Sequence, residues 1–383
     1  MALEHKLFTA QRVEDLAAGG AGVLHYRGLC VFVDMTAPGD IITGRITELH
    51  KTFARAELVE LLQASPDRVA PLCPHYGLCG GCSQQHIAYK AQIAAKARIL
   101  QETLRRIGGL HQLPAITIRE GAPWEYRNRV QFHKADSGVG YKARADKRII
   151  PIDDCPVAYP AIRQALNEKR LAITAPRAAF YARGETFLSE EHKASGTVKI
   201  RNRTLHLDAG VFFQSNGDLL EVLIGDILGI VEKAAPQKMA AADLYCGVGT
   251  FAVFLHDRLK DLDLVEENVQ AVSLARKNLK GSGVSFYTGS ASTWRPTKNY
   301  GFILVDPPRA GLSPIVRNRL LLKRPSLLLY VSCDPATLAR DIRDITRAGY
   351  ALSALFLYDF YPQTPHIETM AVLSASRDTP ASF

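Results

Sequence analysis

Three groups of residues in this 383-residue chain have types and spacings that could do chemistry. The first is Cys333, which follows the apolar run LLLYVS and precedes Asp334-Pro335. That pair reads as the N-cap and first position of a helix through TLARDI. A helix N-terminus favours a thiolate, and Asp334 opposes it. Taken alone, the residue suits a nucleophile or a buried structural cysteine. Two carboxylates occur in related settings. Asp306 ends the run GFILVD ahead of Pro307-Pro308-Arg309, and Glu368 precedes the last run, TMAVLS. His366 stands two residues before Glu368 and would share its face on an extended segment.

The second group is Cys73-x5-Cys79-x2-Cys82 in the Pro- and Gly-rich stretch LCPHYGLCGGCSQQH, with Cys155 far downstream in DDCP. Closely spaced thiols fit zinc or an iron–sulfur cluster, and their number does not separate the two.

The third group is the turn DLYCGVGTF at 243–251. Gly247 and Gly249 allow a tight turn and close approach of a ligand. Glu266 ends the next apolar run, where a carboxylate can take both hydroxyls of a ribose. The third glycine of the dinucleotide fingerprint is missing, because Ala252 and Val253 follow Phe251. That points away from a pyrophosphate and toward a nucleoside ligand, with S-adenosylmethionine the obvious choice.

Elements able to position these groups can be read from the patterning. Short apolar runs (AADLY, DLDLVE, VSFYT, GFILVD, LLLYVS) alternate with helical stretches from about residue 211, which predicts a doubly wound α/β sheet. Cys333, Asp306 and the glycine turn fall at the carboxyl ends of its strands, where such sheets bind ligands. Glu368 joins them if the last strand runs antiparallel. Residues 5–62 read as several short strands, a small OB-like barrel. HIAYKAQIAAKARILQETLRRIG at 86–108 reads as a helix. A hairpin with its turn at 136–138 carries Arg127, Arg129, Lys134, Lys142, Arg144, Lys147 and Arg148, a basic ribbon suited to phosphates or to solvent. The tail SRDTPASF reads as frayed.

The net charge of +9 and pI near 9.2 suit a polyanionic partner or an ordinary basic enzyme. With 47% hydrophobic residues the composition excludes disordered and fibrous classes. The absence of a long apolar run predicts no membrane association, and a cytoplasmic protein is expected.

Residues 243–251, 305–311 (VDPPRAG), 330–335 (YVSCDP) and 361–368 (YPQTPHIE) together resemble the RNA uracil-C5 methyltransferases, most closely their 23S ribosomal RNA branch. FFQSN at 212–216 is similar to another motif of that family. The resemblance implies a TRAM domain over 1–62, a central α+β domain over 63–210 and a Rossmann-like class I methyltransferase domain over 211–383. It implies Cys333 as nucleophile and Glu368 as general base. Gln214, Tyr245, Thr250, Glu266, Ser290 and Asp306 fall on cofactor positions, beside Gly247 and Gly249. Ser290 stands where the family usually has Asn or Asp, and Thr250 where it varies. A [4Fe–4S] cluster on Cys73, Cys79, Cys82 and Cys155 is implied, and RNA, 23S rRNA first, as partner, with no obligate protein partner. The alternatives are a tRNA uracil-C5 enzyme, an amino-group methyltransferase suggested by Asp306-Pro307-Pro308 (followed by Arg309 rather than an aromatic), and a non-catalytic RNA-binding factor.

Overall fold

The computed structural model describes residues 5–234, 239–280 and 283–375. The tail expected to fray, 376–383, lies outside them. An eight-stranded sheet dominates the C-terminal half. Its spatial order is Val284–Thr288, Asp261–Glu266, Ala240–Leu244, Tyr300–Val305, Leu327–Ser332, Glu368–Ala375, Tyr350–Tyr358 and Ile116–Arg119. The first five strands are mutually parallel. Glu368–Ala375 runs antiparallel to both neighbours.

The inner strands are apolar along their length because both faces are covered, whereas the edge strands Val284–Thr288 and Ile116–Arg119 are partly exposed. In Tyr300–Val305, Phe302 and Leu304 face a core shared with the helix Gly217–Ala234. Ile303 and Val305 face the opposite core, with the helices Tyr89–Arg106, Pro314–Lys323 and Pro335–Arg347. The helix after Cys333 starts as its residues dictate: Asp334 accepts from the backbone N–H of Ala336 (3.0 Å) and Thr337 (2.9 Å), and Pro335 occupies the first turn.

The middle of the chain extends this sheet as well as forming its own. Ile116–Arg119 is the eighth strand, paired parallel to Tyr350–Tyr358. A separate antiparallel sheet has the order Ile149–Pro151, Val139–Lys142, Arg129–Lys134, Arg177–Arg183, Thr186–Ser189 around Phe132, Phe180 and Ile162. The N-terminal unit is one six-stranded sheet, Leu7–Arg12, Ile41–Leu49, Phe53–Gln63, Leu29–Val33, Gly22–Tyr26, Asp15–Leu16, closed over Phe8, Leu24, Val31, Ile42 and Ile46. Among the described residues no helix is long and apolar enough to cross a membrane.

Candidate active site

Strand register brings the chemistry together. Ala240–Leu244 has Asp261–Glu266 on one side and Tyr300–Val305 on the other, so the chain reverses its winding direction here and opens a crevice. Leu244 pairs with both Val265 and Val305, which puts Tyr245, Glu266 and Asp306 in one row. Farther along, Ser332 pairs with Thr369 of the antiparallel strand. The next residues outward, Cys333 and Glu368, therefore meet at the same edge. A cleft of about 760 Å³ runs along it, lined by Gln214, Tyr245, Gly247, Thr250, Glu266, Asp306, Arg309, Cys333, His366 and Glu368.

The glycine turn is shaped by necessity. Gly249 has φ +79°, and a Cβ there would lie 2.9 Å from Leu279 Cδ1. The backbone N–H of Gly247 donates to Glu266 Oε2 (3.0 Å) and that of Asn268 to Oε1 (2.8 Å), which fixes the carboxylate beside the turn. Gln214 is buried, and its Oε1 has no partner among the described residues. Phe212 is 61% exposed at the rim, under the Arg129 guanidinium at 5.9 Å. Ser290 does not line the cleft; its hydroxyl accepts from the N–H of Ser292 (3.2 Å).

The electrostatics are those of acids crowded out of water. Burial raises Asp306 to about 7. Glu368 is held well above the usual carboxylate range by burial and then by Asp306, with Arg309 opposing. Burial, Glu368 and Asp306 push the Cys333 thiol up to about 11, again against Arg309. Arg309 Nη2 donates to His366 Nδ1 at 2.7 Å. Burial first, then Arg309, lowers His366 to about 4, so its ring is neutral near pH 7 and accepts this bond. A cationic ligand in the cleft would ease the crowding by favouring both carboxylates and the thiolate.

A second cavity adjoins the first. Cys73, Cys79, Cys82 and Cys155 line it with Tyr141. Its loop is stitched to the basic hairpin: the N–H of Gly80 donates to Lys142 O (2.9 Å) and that of Arg144 to Leu78 O (2.8 Å). Arg127 and Gly81 line both cavities. Arg127 is thus drawn inward from the ribbon expected to track phosphates, and among the described residues it makes no ion pair with a carboxylate. Burial pushes the Cys82 thiol up to about 11 and Cys155 to about 12. Among the described residues no three such donors could hold a single metal ion.

Two polar residues that matter to this architecture, Gln92 and Lys96, belong to no motif that the sequence displays. They are buried on the face of Tyr89–Arg106 that carries Leu100 and Leu104. Polar side chains at positions 92 and 96 of an i, i+4 stripe completed by two leucines are the signal that could have exposed them.

Fold and cleft together mark an S-adenosylmethionine-dependent class I methyltransferase. Comparison with known proteins narrows the class. The family described as tRNA (Uracil-5-)-methyltransferase matches residues 297–376, and the methyltransferase small domain matches 202–323. An uncharacterized RNA methyltransferase of Treponema denticola is 30% identical over 381 residues, spanning 90% of this chain and 93% of its own. A 23S rRNA (uracil(1939)-C(5))-methyltransferase RlmD of Edwardsiella ictaluri is 30% identical over 419 residues, with 94% of each chain covered. The crystal structure of the Pyrococcus abyssi tRNA (uracil-54, C5)-methyltransferase with S-adenosyl-L-homocysteine shares the fold at a TM-score of 0.74 and 23% identity, over 94% of this chain and 99% of that one. The chain belongs to the RNA uracil-C5 methyltransferase family, and it methylates RNA with S-adenosylmethionine.

Proposed function

We propose that the enzyme methylates a uridine of 23S rRNA, with Cys333 as nucleophile and Glu368 as general base. The observation that carries this reading is the meeting of Cys333 and Glu368 across paired strand ends, in the cleft that also holds the glycine turn.

C5 of uracil is a poor nucleophile until its ring is activated. The Cys333 thiolate adds to C6, the charge spreads into the C4 carbonyl, and C5 gains the electron density to attack the donor methyl group. Glu368 then takes the C5 proton, the C5–C6 double bond re-forms, and Cys333 leaves as thiolate. The reacting face is hidden in stacked RNA, so the nucleotide must be extruded into the cleft. Gln214, with its unpartnered buried amide oxygen, suits the N–H edge of the base. Glu266 suits the ribose hydroxyls of the cofactor; Tyr245, Gly247 and Thr250 wall its site, with Gly249 shaping the turn behind them, and Asp306 faces its positive charge. Ser290 would act there only through the turn it caps.

For the cysteine pocket we favour a [4Fe–4S] cluster on Cys73, Cys79, Cys82 and Cys155. Four thiols line one cavity, the donor number such a cluster needs, and the family resemblance favours it over zinc. Burial favours the neutral thiols over the thiolates, and a cationic centre would have to reverse that preference as it bound. Such a cluster would pin the loop 73–86 to the hairpin. The N-terminal sheet is read as the TRAM RNA-binding domain, which with the cysteine set favours rRNA over tRNA.

Mapping 5-methyluridine across cellular RNA with and without the gene tests the target: loss from one 23S rRNA position is expected, and loss from tRNA alone would redirect the proposal. Cys333→Ala that still methylates would end the covalent mechanism. Glu368→Gln is expected to leave a protein–RNA adduct that survives denaturing electrophoresis.

A further inference from the structure

Glu368 opens the strand Glu368–Ala375 in register with Tyr358, and residues 359–367, which lead into it from Tyr350–Tyr358, form neither helix nor strand. Connections of this kind usually lie on the surface and move. This one is buried and gripped: Asp359 is 0% exposed and Gln363 2%. Lys96 Nζ donates to Asp359 Oδ1 at 2.6 Å and to Tyr361 O at 3.2 Å. Gln92 and Gln363 pair reciprocally: Gln92 Nε2 donates to Gln363 Oε1 (2.9 Å), and the N–H of Gln363 donates to Gln92 Oε1 (3.0 Å). Ser83 and Gln84, the residues after Cys82, both donate their N–H to Gln363 O at 3.0 Å. Tyr126 OH holds Pro362 O at 2.9 Å. One clasp thus joins the helix Tyr89–Arg106, the cysteine loop and the segment carrying Glu368.

The bland alternative is that these are only satisfied buried polar groups. It does not explain why a helix that packs Leu100 and Leu104 into the core sets Gln92 and Lys96 on the same stripe. Apolar side chains would fill that space without needing partners, whereas hydrogen bonds fix position as well as distance.

We propose that Gln92 and Lys96 are positioning residues that set Glu368 against the target ring, and that the clasp governs the last step of the reaction. In that step the Glu368 carboxylate takes the proton from C5, the C–H electron pair closes the C5–C6 double bond, and the C6–Sγ bond breaks with its electrons returning to Cys333. The inference rests on Glu368 being the base. Thiolate attack and methyl transfer depend on Cys333, which is held by Leu327–Ser332 and Pro335–Arg347 and not by the clasp.

The test uses the full-length protein with two 23S rRNA transcripts, one ordinary and one with 5-fluorouridine replacing uridine. Fluorine on C5 cannot be taken by a base, so the fluorinated RNA reports attack and methyl transfer alone. Gln92→Met and Gln363→Ala are measured independently, with Glu368→Gln as the reference. Both glutamine variants should form the fluorinated adduct at a rate within about twofold of the unaltered enzyme. Turnover on ordinary RNA should fall by about tenfold or more, and a methylated adduct should accumulate as it does with Glu368→Gln. Equal loss of fluorinated adduct and of turnover, or slowed turnover with no adduct, overturns the positioning role. No adduct from Glu368→Gln itself would instead remove the base assignment. Gln363→Ala trims a loop side chain only, and S-adenosylmethionine binding reports an intact cleft, so the test survives a failure of Gln92→Met to fold.

Discussion

The cleft that holds Cys333 and Glu368 is assembled largely from strand ends, whereas the cysteine pocket next to it is assembled from loops. The cleft's main residues sit at the ends of the sheet's inner strands, which are packed on both faces, so their positions are set by a core that needs no ligand. The cysteine loop has a few hydrogen bonds to the hairpin and to residue 363, and its thiols are half-buried around one cavity. The difference separates chemistry from stability. Removing a functional group from the cleft should stop the reaction and spare the fold; removing one from the cysteine pocket should do more harm to the fold than to the cleft's affinity for its cofactor.

Cys333→Ala is the sharpest way to break that contrast. It should lower methyl transfer by roughly four to six orders of magnitude, as loss of a nucleophile does. The melting temperature should stay within about 2 °C of the unaltered protein's, because Cys333 is only partly buried and the deletion leaves little cavity. A large fall in melting temperature would mean that the thiol is structural. Cys155→Ser is the complement. Cys155 is buried against the middle sheet. The anaerobically purified variant should lose a broad visible absorption near ~400 nm and melt roughly 5–10 °C lower, with S-adenosylmethionine affinity changed less than about threefold. A colourless unaltered protein carrying stoichiometric zinc would replace the cluster with another centre.

Legibility in the sequence follows the same division. The α/β alternation and the strand-end positions of Asp306 and Cys333 could be read because strands buried on both faces are uninterrupted apolar runs. The place of Glu368 followed once the last strand was taken as antiparallel, since a reversed strand begins where its neighbours end. The middle segment was less transparent. Nothing in ITIR at 116–119 announces that it completes a sheet built mostly from residues beyond 239, because long-range pairing leaves no local pattern. Arg127 reads as one charge on a basic ribbon open to phosphates or solvent, since a basic residue on an alternating strand ordinarily faces outward. Its side chain instead lines the two adjoining cavities.

A smaller effect sharpens the contrast by asking whether the cleft's charge is tuned for a cation. Asp306, raised to about 7 by burial, is mostly neutral at pH 6 and mostly ionised at pH 8. An ionised Asp306 attracts a sulfonium, and linkage requires the bound cofactor to lower the carboxyl's pKa in return. Affinity for S-adenosylmethionine should therefore weaken as pH falls through neutrality, by about five- to tenfold between pH 8 and 6. Asp306→Asn should flatten the profile, and the uncharged S-adenosyl analogue lacking the sulfonium should show a shallower one with the unaltered protein. A profile that turns over only near pH 4 would place an ordinary, solvated carboxylate in the cleft.

The smallest effect concerns Ser290. Its hydroxyl is engaged by the N–H of Ser292, and its carbonyl accepts from Thr293 Oγ1 (2.8 Å) and from that residue's N–H (2.9 Å), a local turn outside the cleft lining. Ser290→Ala removes one acceptor of a partly exposed turn, worth about 1 kcal/mol or less to stability. Cofactor affinity by calorimetry should shift less than about threefold, since no cleft contact is lost. Ser290→Asn restores the longer side chain usual in the resembled family and has the reach that serine lacks. If that variant binds S-adenosylmethionine about tenfold more tightly, the adenosine end of the cleft passes near residue 290 and the serine leaves a contact unmade. If both variants bind as the unaltered protein does, the cleft's grip on the cofactor comes from the strand ends alone.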